Sequence, residues 1–81
     1  MKCAMQQLFE ENNLTYAYQE DEKVCIHCSE GEHPHILFAK EENGMFLVWD
    51  EFSAIVDVKT NIPQVAVAAI KETIAYWESC K

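Results

Sequence analysis

Apolar residues recur along this chain with two different periods, and the switches between them mark out the elements. Ala4, Met5, Leu8 and Phe9, with Met1 on the same side, recur at spacings of three and four, which predicts an amphipathic helix over about residues 1 to 12. Asn12-Asn13 is expected to end it. Leu14, Tyr16 and Tyr18 then alternate strictly, the charged turn Glu20-Asp21-Glu22-Lys23 follows, and Val24-Cys25-Ile26-His27-Cys28 is rich in strand formers. These segments read as a hairpin. A second β-run, His35-Ile36-Leu37-Phe38-Ala39-Lys40, leads through Glu42-Asn43-Gly44 into Met45-Phe46-Leu47-Val48-Trp49. Asn-Gly is the strongest short hairpin signal, because both residues tolerate the positive φ that a two-residue turn demands.

After Asp50-Glu51, the segment Phe52-Ser53-Ala54-Ile55-Val56-Asp57-Val58 fits a fifth strand at a sheet edge, with Asp57 and Lys59 as solvated edge residues; a short helix is the alternative. Asn61-Ile62-Pro63-Gln64 reads as a helix start, with Asn61 as N-cap, Pro63 in the first turn and Gln64 at the capping-box position. Val65, Ala66, Ala69, Ile70, Thr73, Ile74 and Trp77 continue at helical spacing to the end of the chain. The predicted fold is α+β: an N-terminal helix, an antiparallel meander of four or five strands and a long C-terminal helix, forming a two-layer sandwich in a single domain over residues 1–81.

Register turns this outline into an argument about surface. A two-residue turn at Asn43-Gly44 places Phe38 opposite Trp49 and Lys40 opposite Leu47, while Leu37 and Ala39 point the other way with Phe46 and Val48. Ile36, Phe38, Met45, Leu47 and Trp49 therefore compete with Leu37, Ala39, Phe46 and Val48 for cover by two helices. One face stays uncovered unless the helices divide between the two faces or the sheet curls over both. An uncovered aromatic sheet face is the usual mark of a protein contact or of self-association.

Charge narrows the partners. Fourteen acidic residues against six basic ones, all Lys, give a net charge of -8. That field repels a polyanion, and Lys lacks the bidentate fork that phosphate recognition favours, so direct nucleic-acid binding is not expected. In a meander alternate turns lie at opposite ends, so Glu20, Asp21, Glu22, Glu41 and Glu42 are expected along one rim, with Glu30, Glu32, Asp50 and Glu51 along the other. Apolar anchors between acidic rims suit a basic protein surface. The N-terminal residues lack the apolar core of a signal peptide, and no run approaches the ~20 apolar residues of a membrane helix, so a cytoplasmic address without a membrane partner is expected. In that compartment the four cysteines read as free, metal-bound or reactive before they read as disulfides, a Cys3–Cys80 bridge being the alternative.

Candidate chemistry is confined to residues 25–35. Cys25, Cys28, His33 and His35 form a Cys-x2-Cys-x4-His-x-His set, a legal ligand list for structural zinc. Val24 to Cys28 reads as extended, however, so Cys25 and Cys28 project to opposite faces unless a bulge intervenes, and Cys28 and His35 meet at the hairpin neck. The reading preferred over a metal site is that Cys28 packs with Val24 and Ile26, His27 and His35 are half-buried strand residues and His33 is a loop residue beside Glu30 and Glu32. A redox role for the two cysteines lacks the following helix that would lower a thiol pKa. Every carboxylate pair falls at a turn or helix end, and no phosphate loop is present, so an enzyme is not expected.

The reading is a small acidic non-catalytic protein that binds a partner stoichiometrically, such as an inhibitor, immunity or anti-defence protein, without a cofactor. Phe38, Leu47 and Trp49 are its candidate anchors, joined by Tyr16 and Tyr18 if the first hairpin has the compatible register. A structural zinc domain and a homodimer burying its apolar face against itself are the alternatives.

Overall fold

The computed structural model describes residues 2–80 of the 81-residue chain. Helix α1 (Ala4–Glu11) leads into five strands, β1 (Ala17–Gln19), β2 (Val24–Cys28), β3 (Ile36–Glu42), β4 (Met45–Asp50) and β5 (Asp57–Thr60), followed by helix α2 (Pro63–Ser79). The strands form one antiparallel sheet in the order β1-β2-β3-β4-β5, so each pairs only with its neighbours in sequence. The expected α+β meander between two helices is what the chain adopts. Met1, placed by its spacing on the apolar side of the first helix, lies outside the described residues.

Both helices lie on the same face of the sheet. Met5 and Phe9 of α1 and Ala66, Ile70 and Trp77 of α2 share a core with Cys25, Leu37, Ala39, Phe46 and Val48 of the strands. Leu37, Ala39, Val48, Phe9 and Ile70 have no exposed surface at all. Burying a side chain of this size contributes about 1.5–3 kcal/mol, which makes this the face that fixes the register. The alternation on β3 and β4 is strict: each residue between two buried ones is half-buried and points away from the helices.

Asn43 (φ 53) and Gly44 (φ 81) form the expected turn with two left-handed residues, and the Gly44 N–H donates to Glu41 Oε2 at 2.7 Å. The pairing of Phe38 with Trp49, Lys40 with Leu47 and Ala39 with Val48 follows. Helix α1 ends at Asn12, whose Nδ2 donates to the Leu8 carbonyl at 2.8 Å, and Asn13 takes a left-handed φ of 57.

Three boundaries depart from the sequence pattern, the first being β1, which covers only Ala17–Gln19 and leaves Leu14 and Tyr16 ahead of the strand. The fifth strand covers Asp57–Thr60 rather than starting at Phe52, and neither strand nor helix forms over residues 52–55. The cause is Asp50. Its Oδ1 accepts the N–H groups of Ile55 (3.3 Å) and Val56 (3.5 Å), while its own N–H donates to the Val56 carbonyl at 3.3 Å. The chain is thereby closed into a loop over Glu51–Ile55, and Ser53, with φ 52, turns inside it. Asp50 is consequently buried, not a solvated rim carboxylate. At the start of α2, Ile62 takes the N-cap position and Pro63 the first helical one; Asn61 is not the cap. Thr60 Oγ1 instead accepts the Ile62 N–H at 3.1 Å, and Pro63, having no N–H, leaves one fewer donor to satisfy.

Candidate functional site: the uncovered sheet face

With both helices on one side, no helix of the described residues covers the other side of the sheet, where Val24 near the β1–β2 turn is buried and Ile26, Phe38, Leu47 and Trp49 are half-buried. Across it runs a row set by register. Ala17 stands opposite Ile26, Ile26 opposite Phe38, Phe38 opposite Trp49 and Trp49 opposite Asp57. The Phe38 and Trp49 rings stack with centroids 5.5 Å apart and planes 20° from parallel. In the next row Leu47 sits between Lys40 and Lys59. Ile36 and Met45 complete the apolar surface at opposite ends. These side chains are half-buried only because cross-strand neighbours shield one another, an interaction of about 0.2–1 kcal/mol per pair. Stacking restricts both rings before anything binds, which reduces the ordering entropy lost on contact.

The first hairpin does not have the register that would bring Tyr16 and Tyr18 to this face. Tyr18 stands opposite Cys25, which is fully buried beneath the helices, so both tyrosines lie on the covered side and pack against the core. The Phe9 and Tyr16 rings are 5.3 Å apart at 57°. The Tyr16 hydroxyl donates to the Glu10 carboxylate, and this bond, with burial, raises its pKa from 10.0 to about 12. Glu10 is lowered in turn, first by its bond from Lys2 and then by that from Tyr16. The pKa of Tyr18 is raised chiefly by burial and next by its hydrogen bond with Cys3. Ile26 takes the place in the row that the tyrosines do not fill. Its signal was the alternation of Val24, Ile26 and Cys28 read together with the register of Phe38.

The acidic turns lie where the meander puts them. Glu20, Asp21 and Glu22 are exposed in the β1–β2 turn, at the same end as Glu42 and the β3–β4 turn; Glu22, Lys23, Lys40, Glu41 and Glu42 line one depression there. Glu41 alternates with Leu37 and Ala39, toward the helix side, and is held by Gly44, so it does not frame the open face as Glu42 does. Lys40 Nζ lies 3.7 Å from Glu42 Oε2. Glu30, Glu32 and Glu51 are exposed at the other end, where Asp50 is missing from the rim because it is buried.

The Cys/His segment is dispersed. Cys25 and Cys28 project to opposite faces of β2, as extended backbone requires; Cys25 has no exposed surface, whereas Cys28 is exposed rather than packed with Val24 and Ile26. Burial, and secondarily the neighbouring Cys3, raises the Cys25 thiol from 9.0 to about 12, which disfavours the thiolate that metal ligation and nucleophilic attack need. Cys28 pairs with Ile36, so Ser29 rather than Cys28 meets His35. The Ser29 N–H donates to the His35 carbonyl at 2.9 Å, and the His35 N–H to Ser29 Oγ at 2.7 Å. His35 stacks on Trp77 (5.2 Å, 15°), His33 is exposed in the loop, and His27 Nδ1 lies 2.8 Å from the Thr15 carbonyl. Among the described residues, no group of three or more His, Cys, Asp or Glu side chains is placed to hold a metal ion. All four cysteines are free thiols. No helix among the described residues is long and apolar enough to cross a membrane.

Comparison of the chain with protein-family models, curated proteins and solved structures finds no match.

Proposed function

We propose that this protein is a small acidic binding module that acts by stoichiometric contact with another protein, occluding a basic surface of that partner as an inhibitor, immunity or anti-defence protein does. The observation that carries this reading is the stacked Phe38–Trp49 pair, continued by Ile26 and Leu47, on a sheet face the chain's own helices leave bare. Aromatic anchors of this kind supply most of the energy of a protein interface. The exposed carboxylates of Glu20, Asp21, Glu22 and Glu42 at one end, and of Glu30, Glu32 and Glu51 at the other, supply the steering field. Binding of this sort needs neither cofactor nor catalytic grouping, and free thiols suit a cytoplasmic setting.

The test is affinity capture from a cell extract with immobilised wild-type protein and the variants Trp49→Ala and Phe38→Ala, each checked for native circular dichroism. A partner held by wild type, released as salt rises, and reduced about tenfold or more by either variant is the expected result. Capture that both folded variants retain in full would overturn the placement of the site.

A further inference from the structure

The second sheet edge carries a different kind of complementarity. Because the Asp50 N–H donates to the Val56 carbonyl, the alternation of an antiparallel ladder turns the backbone groups of Val56, Val58 and Thr60 toward β4. The N–H and C=O of Asp57 and Lys59 therefore point outward, with no backbone partner among the described residues. Beside this edge, Ala69, Glu72 and Tyr76 of α2 line a groove of about 480 Å³ together with Ile55 and Val58. Ile62, Val65, Ala69, Glu72 and Tyr76 follow one another at spacings of three, four, three and four, a single stripe along the helix. Ile62, Val65 and Tyr76 are 50 %, 44 % and 51 % exposed, and the loop leading into β5 exposes Phe52 by 83 % and Ile55 by 48 %. The other flank of α2, with Val67, Ala68 and Lys71, faces α1. Among the described residues, Ile55, Ile62, Val65 and Tyr76, four of the five most exposed large apolar side chains, thus lie in this groove or on this stripe.

We propose that β5 pairs with β5 of a second copy of this chain, joining the two sheets into one of ten strands. The register is dictated by charge. An antiparallel pair centred on Val58 sets Asp57 opposite Lys59 of the second copy, and Lys59 opposite its Asp57. These are also the residues whose outward backbone groups must exchange hydrogen bonds, so side-chain charge and backbone pairing select the same register. Shifting by two residues in either direction destroys both ion pairs and sets Lys59 against Lys59, or Asp57 against Asp57. Charges on an edge strand normally discourage pairing with other chains; here they discourage every partner except one of opposite pattern, which this strand is to itself.

The helices agree with this arrangement. Helix α2 packs over β4 and β5 alike. With strands about 4.8 Å apart, a two-fold axis half a spacing beyond β5 brings the two α2 axes to about 10 Å, the distance at which helices pack. The Val65–Ala69–Tyr76 stripe then meets its symmetry mate, and the groove beside Val58 is filled. This interface uses the β5 edge and the α2 flank; Asp57 and Lys59 stand at the margin of the open face, beside Trp49 and Leu47, and the Phe38–Trp49 pair takes no part in it.

The experiment is sedimentation and native mass spectrometry of the untagged protein across a dilution series, with Asp57→Lys, Lys59→Asp and the double charge swap, all checked for native circular dichroism. Each single reversal replaces two attractive cross-strand pairs by two repulsive ones and is expected to raise the dimer dissociation constant about tenfold or more, while the double swap returns it to within about threefold of wild type. A wild-type monomer at every concentration would overturn the proposal. So would a dimer indifferent to both reversals, or one that the double swap fails to restore. A dimer broken by Trp49→Ala alone would place self-association on the open face instead.

Discussion

Burial of the Cys25 thiol beneath α1 keeps it protonated to about pH 12, whereas an unfolded chain releases that proton near 9.0. Between those values the folded state binds more protons, so stability is fully present below about 9 and declines as pH rises toward 12. Tyr16, raised from 10.0 to about 12 by its bond to Glu10, adds to the same alkaline limb from 10 upward. Urea unfolding from neutral pH to about 11 is expected to show a flat midpoint that falls above about 9. Cys25→Ala should cost about 1 kcal/mol at neutral pH and make that fall shallower; an unchanged alkaline slope would show that Cys25 is not the group responsible. Cysteine spacing in the sequence suggested a metal list, but the chemistry of each thiol was decided by which side of β2 it occupies. That side was already legible from the alternation of an extended strand.

At the scale of the elements, the central hairpin was readable from the dipeptide Asn43-Gly44, because its geometry is local: two left-handed residues set the register of both strands. The loop before β5 was not readable, because its cause is one side chain acting across six positions. Phe52 to Val56 have the composition of a strand, yet the Asp50 carboxylate holds Ile55 and Val56 and makes a loop of what precedes them. Asp50→Ala would leave the part-buried Ile55 N–H and the buried Val56 N–H without that acceptor. It is expected to cost about 1–3 kcal/mol, read from the urea midpoint, and to speed proteolysis after Phe52. A loss below a few tenths of a kcal/mol would mean that the loop closes without it. The same locality explains the α2 boundary, where Pro63 fixed the first turn correctly while the identity of the cap depended on Thr60.

For the whole molecule, the decisive fact is that α1 and α2 share one face of the sheet. Leu37 and Phe38 are sequence neighbours on opposite sides of it, so they make a direct test. Leu37→Ala empties a site with no exposed surface and is expected to cost about 2–5 kcal/mol, whereas Phe38→Ala, on the open side, should cost about 1 kcal/mol. Equal losses in urea unfolding would mean that the open face is packed as tightly as the core. If the β5 edge pairs as proposed, the two open faces also become one continuous surface across ten strands, and a partner with two basic patches would gain avidity from it.

Periods of two and of three to four residues, with Asn-Gly and Pro63, were enough by themselves to determine the helix–meander–helix order and the pairing of Phe38 with Trp49, because both depend on neighbours close in the chain. The sequence also showed that both sheet faces are apolar. Which face the helices cover, and hence that Tyr16 and Tyr18 serve the core while Ile26 joins the open row, was decided only in three dimensions. The physical reason is that burial is a competition between whole surfaces: Leu37, Ala39, Phe46 and Val48 form the face into which Phe9, Ile70 and Trp77 pack, and no local pattern records the outcome of that choice.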